Sequence, residues 1–105
     1  MSIMTDSPLS DAALHNAAEC LRVIGHPARL RLIGMMREGR HSVGELAGAC
    51  GIPPNQASEH LRLLQRCGFL RLEREGRSCY YSIGDCTLSE IMGCIDRRFG
   101  EDRKG

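Results

Sequence analysis

The chain has 105 residues, a formal net charge of +1, no Trp and only 4% aromatic residues. That length holds one domain with a modest core, and no apolar run approaches the roughly 20 residues of a membrane span. The N-terminus, MSIMTDSPLSD, lacks the basic flank and apolar stretch of a secretory signal, so a cytoplasmic chain is expected, its 6 Cys present as thiols.

Along the chain, the pattern predicts one domain over residues 9–100 between flexible ends at 1–8 and 101–105. A first helix begins near Ser10, with Asp11 at its positive end and Leu9 placed to staple onto Leu14. Leu14, Ala17, Ala18 and Leu21 recur at helical spacing before Gly25 ends it. Pro27 opens a second helix, ARLRLIGMMREG, with Leu30, Ile33 and Met36 as its inner stripe and Gly39 closing it. Ser42-Val-Gly-Glu45 is a capping box for a short third helix. Gly51 then supplies a permissive turn, and Pro53-Pro54 ends one helix and allows the next to start.

The fourth helix runs to about Cys67, with Gly68 as a left-handed cap. Phe69, Leu70 and Leu72 begin a strand, Glu75-Gly76-Arg77 forms a turn, and Cys79 to Ile83 makes a second strand. Tyr80 and Tyr81 should point to opposite faces, one of them into the core. A last helix starts near Asp85, with Leu88, Ile91, Met92, Ile95 and Phe99 on one side. The fold class is therefore mainly α with a small β-wing: about five helices and a two-stranded antiparallel hairpin in a winged helix-turn-helix. The apolar faces of the first and last helices are more than one small body needs, which points to a homodimer.

Charge is unevenly placed. Residues 22–77 carry a local +5, residues 1–21 carry −3 and residues 78–105 carry −1. A basic centre between acidic ends suits a phosphate-facing middle, although solvated faces also carry charge. On the fourth helix Asn55, Gln56, Ser58 and Glu59 occupy the first two turns, where a helix lying in the major groove meets base edges. Asn and Gln pair with adenine, Ser serves either sense, and Glu accepts from cytosine. Glu59 otherwise needs Arg62 as a partner, and Arg62, one turn on, is placed to neutralise a phosphate. Arg74 and Arg77 flank the wing tip, where Arg enters a minor groove or touches phosphate.

The segments LRVIGHPARLRLIGMM, SVGELAGACGIPPNQASEHLRLLQRCGFL and REGRSCYYSI together resemble the ArsR/SmtB family of winged-helix repressors, over about residues 21–83. The resemblance implies a homodimer, joined by its outer helices, on palindromic double-stranded operator DNA. It also implies release by a metal ion, metalloid or reactive sulfur species. The sensing motifs of the family are missing here. Where the arsenic- and cadmium-type site reads ELCVCDL, this chain reads RHSVGEL, so Ser42 and Gly44 replace the two Cys. Of the zinc-type site on the last helix Asp85 remains, but Thr87 and Arg98 stand where His is expected. The persulfide-type Cys near Gly34 is absent. Cys67 matches a Cys of a lead- and cadmium-sensing branch, yet one turn earlier stands Leu63.

The thiols must then be weighed singly. No C-x-x-C and no C…H-x-H spacing announces a structural zinc site. Cys50 and Cys67 lie roughly 20 Å apart at opposite ends of the fourth helix, too far to share an ion, and each reads as a small buried hydrophobe. Cys86 and Cys94 lie about 12 Å apart along the last helix. Cys20 and Cys94 flank the apolar stripes of the two interface helices, could approach within a protomer or across the dimer axis, and are the leading pair for binding a thiophilic metal or metalloid, or for oxidation. Cys67, Cys79 and Cys86 are further candidates, with Cys79 and Cys86 able to approach each other. His15 and His41 read as surface groups.

Two other function classes remain open. A thiol enzyme is disfavoured because no nucleophile–base spacing or cofactor loop occurs. A winged-helix regulator without metal sensing, or a winged-helix protein-interaction module, is the alternative. Polar Asn55, Gln56 and Ser58 beside a basic wing favour DNA over a protein groove.

Overall fold

A computed structural model describes residues 9–100; the two expected flexible ends lie outside the described residues. The elements in chain order are α1 (Asp11–Ile24), α2 (Pro27–Met36), β1 (His41–Ser42), α3 (Val43–Cys50), α4 (Pro54–Arg66), β2 (Leu70–Glu75), β3 (Ser78–Ile83) and α5 (Cys86–Phe99).

Local chemistry sets the boundaries. Ser10 caps α1 through its side chain, which accepts from the Ala13 amide at 3.0 Å. The capping box at α3 is complete: the Ser42 hydroxyl accepts from the Glu45 amide, and the Glu45 carboxylate accepts from the Ser42 amide. Asp85 caps α5 more simply, its carboxylate accepting from the Thr87 amide at 2.9 Å. Between α3 and α4, Gly51 sits at φ +68°, a left-handed geometry that lets the chain turn sharply into the Pro53-Pro54 pair.

The core is one cluster of Ile24, Leu32, Ile33, Met36, Leu46, Leu61, Leu64, Leu70, Tyr81 and Leu88, drawn from every element except β1. The α2 stripe differs from the expected one. Leu32 is fully buried, whereas Leu30 is only half-buried, because α2 is covered by several neighbours rather than along one edge. Of the two tyrosines, Tyr81 faces the core and Tyr80 the outer side. Leu9 and Leu14, the expected staple, both stay about half-exposed.

The sheet corrects the expected two-stranded hairpin. It has three antiparallel strands in the order β1-β3-β2, with His41 opposite Tyr81 and Ser42 opposite Tyr80. Two residues carry too little alternation to be read as a strand. They pair because the capped start of α3 brings their backbone beside β3. The wing turn is also tighter than expected: Glu75 pairs with Ser78, so only Gly76 and Arg77 lie between the strands. Gly76 takes φ +63°, the sign a two-residue hairpin turn requires.

Candidate nucleic-acid interface

The fourth helix is amphipathic in the manner a groove-reading helix needs. Ala57, Leu61 and Leu64 are fully buried on its inner side, one helical turn apart, and pack it against the core. On its outer side Asn55, Gln56, Glu59 and Arg62 are exposed, and Ser58 is half-buried. Among the described residues no side chain of Asn55, Gln56, Glu59 or Arg62 makes a hydrogen bond or ion pair, although the Gln56 amide donates to the Pro53 carbonyl at the start of the helix. The expected Glu59–Arg62 pair is therefore not formed, and both groups are presented to solvent with their bonding capacity unspent.

Two clusters that the sequence reading did not single out hold this helix and the wing in place. The first joins α1, α2 and α4. The Arg29 guanidinium donates to the Val23 carbonyl at 2.9 Å and to Nδ1 of His60 at 3.1 Å. The His60 ring lies 4.9 Å from that of His26, which itself caps α2 by accepting from the Ala28 amide. Burial, and then the positive Arg29 and neighbouring His26, lower the His60 pKa and keep its imidazole neutral. A neutral Nδ1 is the acceptor that Arg29 requires.

The second cluster sits on the outer face of the wing. Arg40 stacks over the Tyr80 ring at 4.3 Å and donates to Glu73 at 2.9 Å and Glu75 at 3.0 Å. It reaches across the middle strand, β3, to the far strand, β2. Its hydrogen bonds and charge hold the Glu75 carboxyl below the ordinary carboxylate range. Arg40 thus bonds both wing carboxylates and offsets one of their two charges. Arg74 and Arg77 remain exposed and unpaired among the described residues, leaving the wing tip basic. Sequence alone shows Arg40 next to no acidic residue; only the strand order supplies its partners.

Comparison with known proteins bears on this geometry. Residues 24–73 match the family described as a helix-turn-helix domain. The HTH-type transcriptional regulator NmtR of Mycobacterium tuberculosis is 31% identical over 86 residues, covering 82% of this chain and 72% of the relative. The HTH-type transcriptional repressor SmtB of the same species is 34% identical over 89 residues, covering 85% of this chain and 66% of the relative's length.

The chain belongs to the ArsR/SmtB family of helix-turn-helix transcriptional regulators. Such proteins are DNA-binding regulators, not enzymes. Solved structures agree on the fold. The AntR antimony-specific transcriptional repressor aligns with a TM-score of 0.79 at 25% identity, covering 99% of this chain and 95% of AntR. The homodimeric winged helix-turn-helix domain of Mb0332 from Mycobacterium bovis, a possible ArsR-family regulator, aligns with a TM-score of 0.77 at 24% identity, covering 92% and 93%. Among the described residues no helix of this family member is long and apolar enough to cross a membrane.

The thiols fall into place differently from the expected pairs. Cys20 lies against Cys67, not Cys94, in a groove between α1 and the end of α4. Cys94 is exposed on α5, where its sulfur accepts from Arg97 at 3.4 Å. An approach of Cys20 to Cys94 would have to come from a second protomer. Cys79 pairs with Arg74 near the wing tip, and Cys86 opens α5 beyond the other end of β3, about 13 Å of strand away, so these two do not meet. Cys50 is the packed hydrophobe expected. It is half-buried against the core with its thiol 4.0 Å from the Met35 sulfur, and burial raises its pKa. Among the described residues no group of three or more His, Cys, Asp or Glu is placed to hold a metal ion.

Proposed function

We propose that this chain is a homodimeric repressor that reads a palindromic operator through α4 and is released by a thiol-reactive metal, metalloid, oxidant or reactive sulfur species. The observation that carries the DNA reading is the outer face of α4, where polar groups with base-pairing geometry stand exposed and unpaired above a buried apolar face. Asn55, Gln56 and Ser58 read base edges, Glu59 accepts from a cytosine, and Arg62 neutralises a phosphate. Arg74 and Arg77, on a wing whose two carboxylates are both engaged by Arg40, contact phosphate or the minor groove.

Dimerisation rests on apolar side chains that one protomer leaves uncovered: Leu14, Leu21 and Phe99 are 48%, 57% and 71% exposed. Two recognition helices held by such an interface reach successive major grooves near 34 Å apart. The names of AntR and of Mb0332 support an ion-responsive, homodimeric arrangement by analogy. An inducer that prefers the operator-incompetent dimer shifts operator affinity by about 5–150-fold for about 1–3 kcal/mol of coupling.

The test is selection of bound sequences from a random duplex pool with the full chain, followed by titration against salt. Enrichment of a two-fold symmetric site, with affinity falling steeply as salt rises, is expected. A flat salt response with no enriched sequence would point to the protein-interaction reading instead.

A further inference from the structure

Among the described thiols, one pair faces each other. Cys20 is in the last turns of α1, and Cys67 is the residue that caps the C-terminal end of α4. Both line an open groove of about 450 Å³, together with Asn16, Glu19, Val23, Leu63 and Arg66. Each is half-buried. Burial, and then hydrogen bonding to the Cys20 thiol, push the Cys67 pKa up to about 11. At neutral pH Cys67 is therefore a protonated thiol, because a thiolate there would be poorly solvated and set beside a second sulfur.

We propose that Cys20 and Cys67 form a two-thiolate site for a soft, two-coordinate cation, which ties α1 to the end of the recognition helix.

Three observations select this chemistry. The donors are two sulfurs, the ligands that favour soft ions over hard ones. Among the described residues no third ligand is assembled: Glu19 shares the groove, but its carboxylate is engaged by Arg22, and no cluster of three ligands exists there. Tetrahedral zinc, with four ligands, and a trivalent metalloid, with three, are therefore underserved. Finally, both thiols are free, and closing them into a disulfide would bring the sulfurs to about 2.05 Å. A linear ion with two bonds of about 2.3 Å spans about 4.6 Å, which needs less helix movement.

The step is balanced without any redox partner. A divalent ion displaces one proton from each thiol, two metal–sulfur bonds form, and two protons pass to solvent. The product is neutral, which removes the cost of placing two thiolates side by side in a half-buried groove. Binding should strengthen as pH rises, since both protons must leave.

The position of the site links it to the operator reading, on which its regulatory consequence, but not its existence, depends. Cys67 ends the helix that carries Asn55, Gln56 and Ser58, and α1 carries the uncovered Leu14 and Leu21. An ion across the groove couples the tilt of α4 to the helix proposed to hold the dimer together.

The experiment loads the reduced full chain with Hg(II) chloride in the absence of any other thiol, where proton release is read, and then challenges it with an excess of a monothiol competitor, where the retained ion is read by native mass spectrometry. The proteins are the wild type, Cys20→Ser, Cys67→Ser, Cys94→Ser, and a variant in which Cys50, Cys79, Cys86 and Cys94 are replaced while Cys20 and Cys67 remain. Circular dichroism checks that each is folded. One competitor-resistant ion per protomer with two protons released is expected in the wild type, in Cys94→Ser and in the two-Cys variant. It should be lost from Cys20→Ser and from Cys67→Ser. Retention of that ion in folded Cys20→Ser, its absence from a folded two-Cys variant, or tighter binding of arsenite than of Hg(II) by that variant overturns the proposal. In parallel, Hg(II) should weaken operator binding at least about fivefold in the wild type and not in Cys20→Ser. A chain that binds the ion as described but no DNA in the absence of ion would defeat the operator reading and leave the site standing.

Discussion

Helices α1 and α4 are nearly equal in length, 14 and 13 residues, and both are amphipathic, yet the protomer completes only one of them. In α4 the apolar face is spent: Ala57, Leu61 and Leu64 are wholly covered, and the residues left outside are polar and unpaired. In α1 only Ile24 is buried, and Leu14 and Leu21 stand half-exposed. A polar face without partners on a tightly packed helix is suited to a polar ligand. An apolar face without partners is suited to a second apolar face. The same periodicity thus serves two kinds of recognition, and burial tells them apart.

The contrast can be broken from either side. Leu61→Ala should destabilise the folded chain by about 2–5 kcal/mol, because a fully buried leucine leaves a cavity behind. Chemical denaturation measures it, and a loss below about 1 kcal/mol would mean that α4 is not anchored as described. Leu21→Ser should leave the protomer folded but weaken dimerisation on the order of 2–3 kcal/mol, counting two half-covered side chains per dimer. Sedimentation equilibrium shows this as a shift toward monomer; an unchanged dimer would assign the α1 face another role.

On the polar side, Gln56→Ala should cost operator affinity about 1–3 kcal/mol and relax base preference at one position of each half-site. Arg62→Gln, in contrast, should weaken all sequences alike and reduce the salt slope by about one. A uniform loss from Gln56→Ala would move it from base reading to backbone contact. Ser42→Ala removes one arm of the α3 capping box and should lower stability by about 1 kcal/mol in thermal or chemical melts.

The smallest effect is a pH dependence at the joint between the two helices. The folded protein holds the His60 pKa below that of the unfolded chain, so the unfolded state takes up the proton first on acidification. Stability from this group is complete above the ordinary histidine value of about 6.5 and declines as pH falls below it. His60→Gln, which keeps a polar side chain beside Arg29, should flatten that slope relative to wild type. Parallel slopes in the two proteins would remove His60 as the cause.

Local chemistry made much of this molecule legible beforehand. Ser10, the Ser42–Glu45 box, Gly51, Pro53-Pro54, Gly68 and Asp85 each act within a few residues of their own position, so their spacing placed the helix ends directly. The outward set Asn55, Gln56, Glu59 and Arg62 follows from the same helical period that buries Ala57, Leu61 and Leu64.

What the chain order could not convey are contacts between residues far apart in sequence. Strand β1 exists only because β3 lies beside it, pairing His41 with Tyr81 and Ser42 with Tyr80 from far along the chain. Arg40 finds Glu73 and Glu75 across an intervening strand, and Arg29 finds His60 from another helix. Stripe position sets Cys20 opposite Cys94, whereas packing α1 against α4 places it in one groove with Cys67. Helix caps and the two faces of α4 are properties of neighbouring residues and were determined by the sequence itself, whereas the inner stripe of α2 was not. Partners across strands and between helices depend on how whole elements dock, and only the tertiary structure decided them.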